Sequence, residues 1–225
     1  MNPGTPPFGR STACVLFDLD GTFADTARDL HQALNRVLIR HGRPEMDFET
    51  LRPFVSHGSK AMLKASFEIE PEDPGFSALQ KEFLDGYLER IAFLTRPFDG
   101  IPELIDTLER QGVLWGIVTN KPARLTDPLM RELGLDQRAC TIVSGDTTPY
   151  AKPHPEPILH ACRVSGVDPG ETLYVGDAVR DIEAGRRAGT RTLAARFGYL
   201  ADDDRPEEWR ADGLIDHPLD ILAWL

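Results

Sequence analysis

The sequence predicts an α/β fold, a doubly wound parallel sheet with a Rossmann-like core and an inserted helical cap, and three observations lead there. Five short apolar runs rich in β-branched residues punctuate the chain, helical patterns alternate with them from Ile101 onward, and one interval is far too long for a single crossover. The length of 225 residues suits one large domain or a core with a modest insertion. A composition of 41% hydrophobic and 27% charged residues can bury a core.

The first apolar run, residues 12–17, reads as a buried strand, followed by others at 113–118, 140–143, 172–175 and 191–195, with a short sixth near 213–215. Between the later strands, Ile101, Leu104, Ile105 and Leu108 repeat at helical spacing, as do Leu125, Leu129 and Leu133, and Gly112 and Gly134 lie where those helices should stop. Right-handed crossovers between such strands give a parallel sheet covered on both faces.

Residues 18–112 separate the first two strands, which implies an insertion. Leu30, Ala33, Leu34, Val37 and Leu38 form one amphipathic stripe, Phe76, Leu79, Phe83, Tyr87 and Ile91 a second, and residues 60–67 a shorter helical stretch. The expected division is a catalytic core of residues 1–24 and 95–225 with a helical cap of residues 25–94.

Composition also excludes. The longest stretch without a charged residue is 111–120, half of what a membrane span needs. The first ten residues hold five Pro or Gly and no apolar block of the signal-peptide kind, so they read as a frayed tail of a cytoplasmic protein. Cys14, Cys140 and Cys162 are odd in number and widely spaced, against a disulfide framework or zinc site and for a reducing compartment. A net charge of −11 disfavours nucleic acid and anionic membranes as partners, so an anionic ligand needs a locally basic pocket. Nothing in the pattern speaks to oligomeric state.

The candidate chemistry collects at strand ends. The first strand runs into Asp18-Leu19-Asp20-Gly21-Thr22, two carboxylates one residue apart, an arrangement that a cation or a shared proton makes tolerable. The second ends in Thr119-Asn120-Lys121, with a hydroxyl, an amide and backbone N–H groups at a helix start suited to an anion. The fourth ends in Gly176-Asp177, with Asp181 four residues on, hard oxygen ligands that suit Mg²⁺. Lys152 stands in the loop Ala151-Lys152-Pro153. Each has an ordinary reading as a turn, a helix cap or a solvated lysine. Together they fall where ligands bind in open α/β sheets.

In this order the motifs resemble those of the haloacid dehalogenase-like phosphohydrolases, in the branch with a helical cap between the first and second motifs, over essentially the whole chain after Arg10. Within that branch the chain looks most like phosphoglycolate phosphatases and relatives that dephosphorylate N-acetylmuramic acid 6-phosphate. Phe23-Ala24 and Ala178 depart from the usual pattern without removing a reacting group. The resemblance implies a phosphatase of small phosphorylated metabolites, phosphoglycolate first and N-acetylmuramic acid 6-phosphate second. Asp18 would be the nucleophile that forms an aspartyl-phosphate and Asp20 the acid/base. Mg²⁺ would sit on the Asp18 carboxylate, the Asp20 backbone carbonyl and Asp177, with Asp181 behind them. Thr119, Asn120 and Lys152 would bind the phosphoryl oxygens, and Ser56, His57, Gly58 and Ser59 of the cap loop 54–60 would read the leaving group.

Two other classes compete. A signalling receiver also combines acids, a Thr and a Lys around a parallel sheet, but it is cap-free and lacks a counterpart of Asp20. A phosphosugar mutase or a dehalogenase of the same fold is the other, and Asp20 argues against the latter because a halide leaves without a proton.

Overall fold

The computed structural model describes residues 11–225, so the expected tail at residues 1–10 lies outside the described residues. The first strand, β1 (Cys14–Phe17), is buried along its whole length because both of its faces are covered. Val15 and Phe17 pack into the larger apolar cluster, while Cys14 and Leu16 face the opposite way into a second cluster with Ile158, Ala161 and Tyr174. A strand buried on both faces reads as a continuous apolar run rather than an alternation, as found here.

After β1 come β2 (Ala24–Asp25) and four helices, α1 (Ala27–Arg40), α2 (Phe48–Leu51), α3 (Gly58–Phe67) and α4 (Phe76–Leu88), with a 3₁₀ turn at Arg52–Phe54 between α2 and α3. The chain returns through β3 (Arg96–Pro97), which pairs antiparallel with β2. Then follow α5 (Ile101–Arg110), β4 (Leu114–Val118), α6 (Ala123–Glu132), β5 (Ile142–Val143), α7 (Glu156–Ser165), β6 (Thr172–Gly176), α8 (Val179–Ala188), β7 (Arg191–Ala195) and β8 (Gly213–Ile215). The six-stranded sheet has the order β5-β4-β1-β6-β7-β8 and is parallel throughout, with β1 central. The predicted doubly wound sheet is thus the observed one.

Boundaries differ in instructive ways. The strand expected at 140–143 is only Ile142–Val143; Cys140 precedes it, although its N–H already bonds the Trp115 carbonyl at 2.8 Å. The helix expected at 60–67 starts at Gly58, so Ser59 lies inside it and accepts a bond from Gln80 Nε2 at 2.9 Å instead of capping it. Ile91, expected on the second stripe, lies past the end of α4 yet is still buried. The two-residue ribbon β2–β3 is too short to carry a period and was not expected. No helix among the described residues is long and apolar enough to cross a membrane, and the three cysteines are free thiols.

The ribbon sits where the helical segment leaves and rejoins the sheet, and buried polar groups tie it down. The Asp29 carboxylate in the first turn of α1 accepts from the Leu94 and Thr95 N–H groups and the Thr95 hydroxyl, at 2.8 to 3.0 Å. Tyr199 donates to Asp25 Oδ1 at 2.7 Å and accepts from the Ala27 N–H at 3.0 Å. The Phe23 ring is stacked on Trp115 at 5.4 Å, and α1 packs against α4, with Leu34, Leu38, Phe83 and Tyr87 all buried in the larger cluster.

Candidate active site

The carboxyl ends of β1, β4 and β6 lie side by side because those strands are neighbours in register, Phe17 opposite Ile117 and Val175. Their following residues, Asp18, Thr119 and Asp177, therefore converge on one spot at the sheet edge. Gly21, at φ +85, takes the loop after β1 through a tight turn against the Asp177 carboxylate, where a Cβ would collide with that group.

Asp18, Asp177 and Asp181 are 3%, 1% and 0% exposed, and each offers an oxygen within 4.8 Å of the others. Lys152 binds this group from beneath. Its ammonium, with a side chain fully out of water, lies 2.9 Å from Asp18 Oδ1 and 2.7 Å from Asp181 Oδ1, and it reaches the Val118 carbonyl at 2.9 Å and the Tyr174 hydroxyl at 2.8 Å. One ammonium does not neutralise three buried carboxylates. Burial first, then the charges of Asp18 and Asp181, push Asp177 up to about 7, against bonds from Ser56 and the Tyr199 N–H that pull it down. Surplus negative charge in an all-oxygen cluster is a fit for a hard divalent cation.

Asp181 follows Asp177 by four residues, the spacing of one helical turn. The helix α8 begins only at Val179, so Asp177 stands before it and the two acids meet by the turn of the loop instead. Both Asp181 oxygens are taken, Oδ1 by Lys152 and Oδ2 by the Ala178 N–H at 3.1 Å. Asp177 binds the Thr22 hydroxyl at 3.3 Å, the Tyr199 N–H at 2.9 Å and the Ser56 hydroxyl at 2.7 Å.

The carboxylate of Asp20 is outside the cluster, so any share in a metal falls to its backbone carbonyl. Its Oδ1 accepts from the Thr26 hydroxyl at 2.5 Å and from Lys121 Nζ at 2.8 Å. Thr26 occupies the N-cap position of α1 but gives its hydroxyl to Asp20 rather than to the helix. Lys121 was read from the sequence only for its backbone. Burial works against its charge, but the adjacent Asp20 carboxylate outweighs that and raises its pKa, and its ammonium also lies 4.7 Å from the Tyr87 ring centre.

Two of the residues expected to bind phosphoryl oxygens, Asn120 and Lys152, also have protein partners. The Asn120 side chain clamps the backbone of Lys152, with Nδ2 to its carbonyl and Oδ1 from its N–H, both at 2.9 Å, so the second Nδ2 proton and the Asn120 N–H are left to meet an anion. Lys152, expected to bind a phosphoryl oxygen, has its ammonium among four protein acceptors, Asp18, Asp181, the Val118 carbonyl and the Tyr174 hydroxyl. Thr119 Oγ1 accepts from the Lys121 N–H at 3.1 Å, which leaves its own proton to donate.

Above these residues is a cavity of about 630 Å³. Asp18, Asp20, Thr119 and Asn120 line it from the core, and Val55, Ser56, His57, Gly58, Ser59 and Lys60 from the helical segment. The four cap-loop residues expected to meet a substrate thus share a cavity with the expected nucleophile. The loop is seated on the core by Ser56 on Asp177, by Arg52 donating to the Gly198 carbonyl at 3.0 Å and by Arg180 donating to the Ser56 carbonyl at 2.5 Å.

Residues 15–195 match the family described as haloacid dehalogenase-like hydrolase. The chain belongs to that family. It is 45% identical over 208 residues to an N-acetylmuramic acid 6-phosphate phosphatase of Pseudomonas aeruginosa, covering 92% of each chain. It is 40% identical over 216 residues to a phosphoglycolate phosphatase of Xylella fastidiosa, covering 96% of this chain and 93% of that one. Among solved structures, one described as a predicted phosphoglycolate phosphatase from Haemophilus somnus superposes with a TM-score of 0.83 at 26% identity, over 94% of this chain and 96% of that chain. As a haloacid dehalogenase-like hydrolase with phosphatase relatives over nearly its full length, the protein is an enzyme of phosphatase type. The receiver reading is thereby excluded.

Proposed function

We propose that the protein is a Mg²⁺-dependent phosphomonoesterase that works through a phosphorylated Asp18, and that its substrate is a sugar phosphate of the N-acetylmuramic acid 6-phosphate type rather than phosphoglycolate. The observation that carries the substrate preference is the cavity. At about 630 Å³, with Leu30, Val55, Met62, Leu84 and Leu125 on its walls, it would be left mostly empty by a two-carbon acid and suits a substituted sugar ring. This reverses the order expected from the sequence, and the 45% identity to the N-acetylmuramic acid 6-phosphate phosphatase supports the same direction. Residues 25–94 act in this reading as a cap whose hinge is the β2–β3 ribbon.

One Asp18 oxygen is fixed by the Leu19 N–H at 2.7 Å and by Lys152, which together aim the carboxylate. The other oxygen forms a bond to phosphorus as the ester P–O bond breaks. Asp20 gives a proton to the departing alkoxide, then takes one from the water that attacks the phospho-aspartate, and the Asp18–phosphorus bond breaks as phosphate leaves. Because Lys121 and Thr26 both bind Oδ1 of Asp20, Oδ2 is left to carry that proton. The Thr119 hydroxyl and the Asn120 N–H hold phosphoryl oxygens as charge shifts among them. Asp18, Asp177 and the Asp20 carbonyl would hold Mg²⁺, which when bound supplies positive charge to the phosphoryl oxygens.

The substrate reading is tested by kcat/KM in Mg²⁺ for N-acetylmuramic acid 6-phosphate, phosphoglycolate and unsubstituted sugar phosphates. The first is expected to lead by about tenfold or more, a few buried methylene equivalents of extra contact. Phosphoglycolate in the lead would overturn the substrate reading, and no phosphate release from any ester would overturn the phosphatase.

The metal assignment has a pH signature. In the metal-free protein Asp177 titrates at about 7 against 3.8 for an ordinary aspartate. Between those values the folded protein holds a proton that the unfolded chain releases, so this group makes the protein lose stability as pH rises through that range. A cation takes the place of the proton. The gain in Tm from saturating Mg²⁺ is therefore expected to grow from about pH 5 to about pH 8, and a gain independent of pH would contradict the site.

A further inference from the structure

Where the core meets the cap loop, the cavity is lined by cations to which the proposed phosphatase chemistry gives no role. Three cations line it, Lys60, Lys121 and Arg180. Lys121 is matched by Asp20, and Asp18 is matched by Lys152 beneath it. Arg180 and Lys60 have no carboxylate of the described residues within ion-pair reach, in a chain whose net charge is −11, although the more distant charges of Asp181, Asp18 and Asp177 favour the charged form of Arg180. The one bond of Arg180 goes to a neutral acceptor, the Ser56 carbonyl, which leaves most of the donors of a half-buried guanidinium unmatched.

Arg180 is in the first turn of α8, and its grip on Ser56 places it where the core meets the cap loop, beside His57. Burial and the Arg180 charge lower the pKa of His57, so at neutral pH the imidazole next to it is a neutral hydrogen-bonding partner and the guanidinium is the fixed charge of this corner. A planar fork of donors facing a cavity is matched in shape and charge by a carboxylate, bound through two parallel bonds.

We infer that Arg180, with Lys60 at the rim, is a carboxylate-recognition site that selects esters whose leaving alcohol carries an acid group. It rests on the reading of the cavity as the place where the leaving group is bound. It does not rest on which acid is natural, because glycolic acid and N-acetylmuramic acid both carry the group. Arg180 is here a specificity-determining residue. By holding the Ser56 carbonyl while the Ser56 hydroxyl holds Asp177, it also ties recognition of the acid to the seating of the cap loop over the nucleophile.

The test uses two matched pairs of esters on the whole enzyme. N-acetylmuramic acid 6-phosphate is compared with N-acetylglucosamine 6-phosphate, which lacks the acid, and phosphoglycolate with 2-hydroxyethyl phosphate. For each enzyme the readout is the ratio of kcat/KM within a pair, a quantity unaffected by the fraction of a variant that folds. Wild type is expected to favour the acid member, and Arg180→Gln to lower that preference about 30-fold, mainly through KM, as befits a lost charge-assisted bond pair. Arg180→Lys is expected to fall between the two. An unchanged ratio in Arg180→Gln would overturn the proposal, whether all esters slow together, as when Arg180 serves the phosphoryl group, or none slows. If phosphoglycolate proves the better substrate but its pair ratio still collapses in Arg180→Gln, the sugar reading fails and the carboxylate site stands.

Discussion

Asp18→Asn is expected to lower kcat by about 10⁴-fold or more while leaving the fold at least as stable as before. The amide is near-isosteric, and its oxygen can still accept from the Leu19 N–H and from Lys152, the two groups that position the side chain. It is, however, no nucleophile toward phosphorus. Stability should hold because Asp18 shares a buried space with Asp177 and Asp181, and removing one like charge relieves repulsion that, after burial, helps push Asp177 up to about 7. Steady-state kinetics and thermal unfolding of the metal-free protein check both halves. Activity within tenfold of wild type would place the nucleophile elsewhere.

Lys152→Met is expected to damage stability and catalysis together. A methionine fills much the same volume but leaves the Asp18 and Asp181 carboxylates, 4% and 0% exposed, without their shared ammonium. Removing one member of a buried ion cluster costs about 3–5 kcal/mol, or roughly 10 °C in Tm for a chain of this size. Turnover should fall to background, because the Asp18 carboxylate loses the ammonium that aims it. Adding Asp181→Asn to Lys152→Met should recover part of the stability and none of the activity. A single variant that unfolds within about 2 °C of wild type would show that the cluster does not depend on Lys152.

The sheet was legible because each buried strand is a compact apolar run followed by helix signals. The acids of the candidate site were legible because Asp18, Asp20 and Asp177 occur at strand ends, where a packed protein has little reason to place bare carboxylates. What sequence reading missed is set by contacts between distant segments. Lys121 is 101 residues from Asp20, and although it stood inside the Thr119-Asn120-Lys121 motif, nothing local showed that its ammonium crosses to the acid. Asn120 offers the same amide to a ligand or to a backbone, and only the fold reveals that it is committed to Lys152. The β2–β3 ribbon has two residues per strand and so no periodicity to detect. Arg180, between Asp177 and Asp181 in the chain, could have been flagged as a cation embedded in an acidic motif.

The central claim, a covalent intermediate on Asp18 resolved by Asp20, is tested most directly by rapid acid quench with an aryl phosphate, whose leaving group departs without needing a proton. In Asp20→Asn the first half-reaction should proceed and the second stall, so a phosphoryl group should accumulate on Asp18 to about one per enzyme and be located there by peptide mass spectrometry. In Asp18→Asn no covalent phosphate should form. Phosphate trapped on another residue, or turnover by Asp18→Asn without any trapped species, would contradict the assignment.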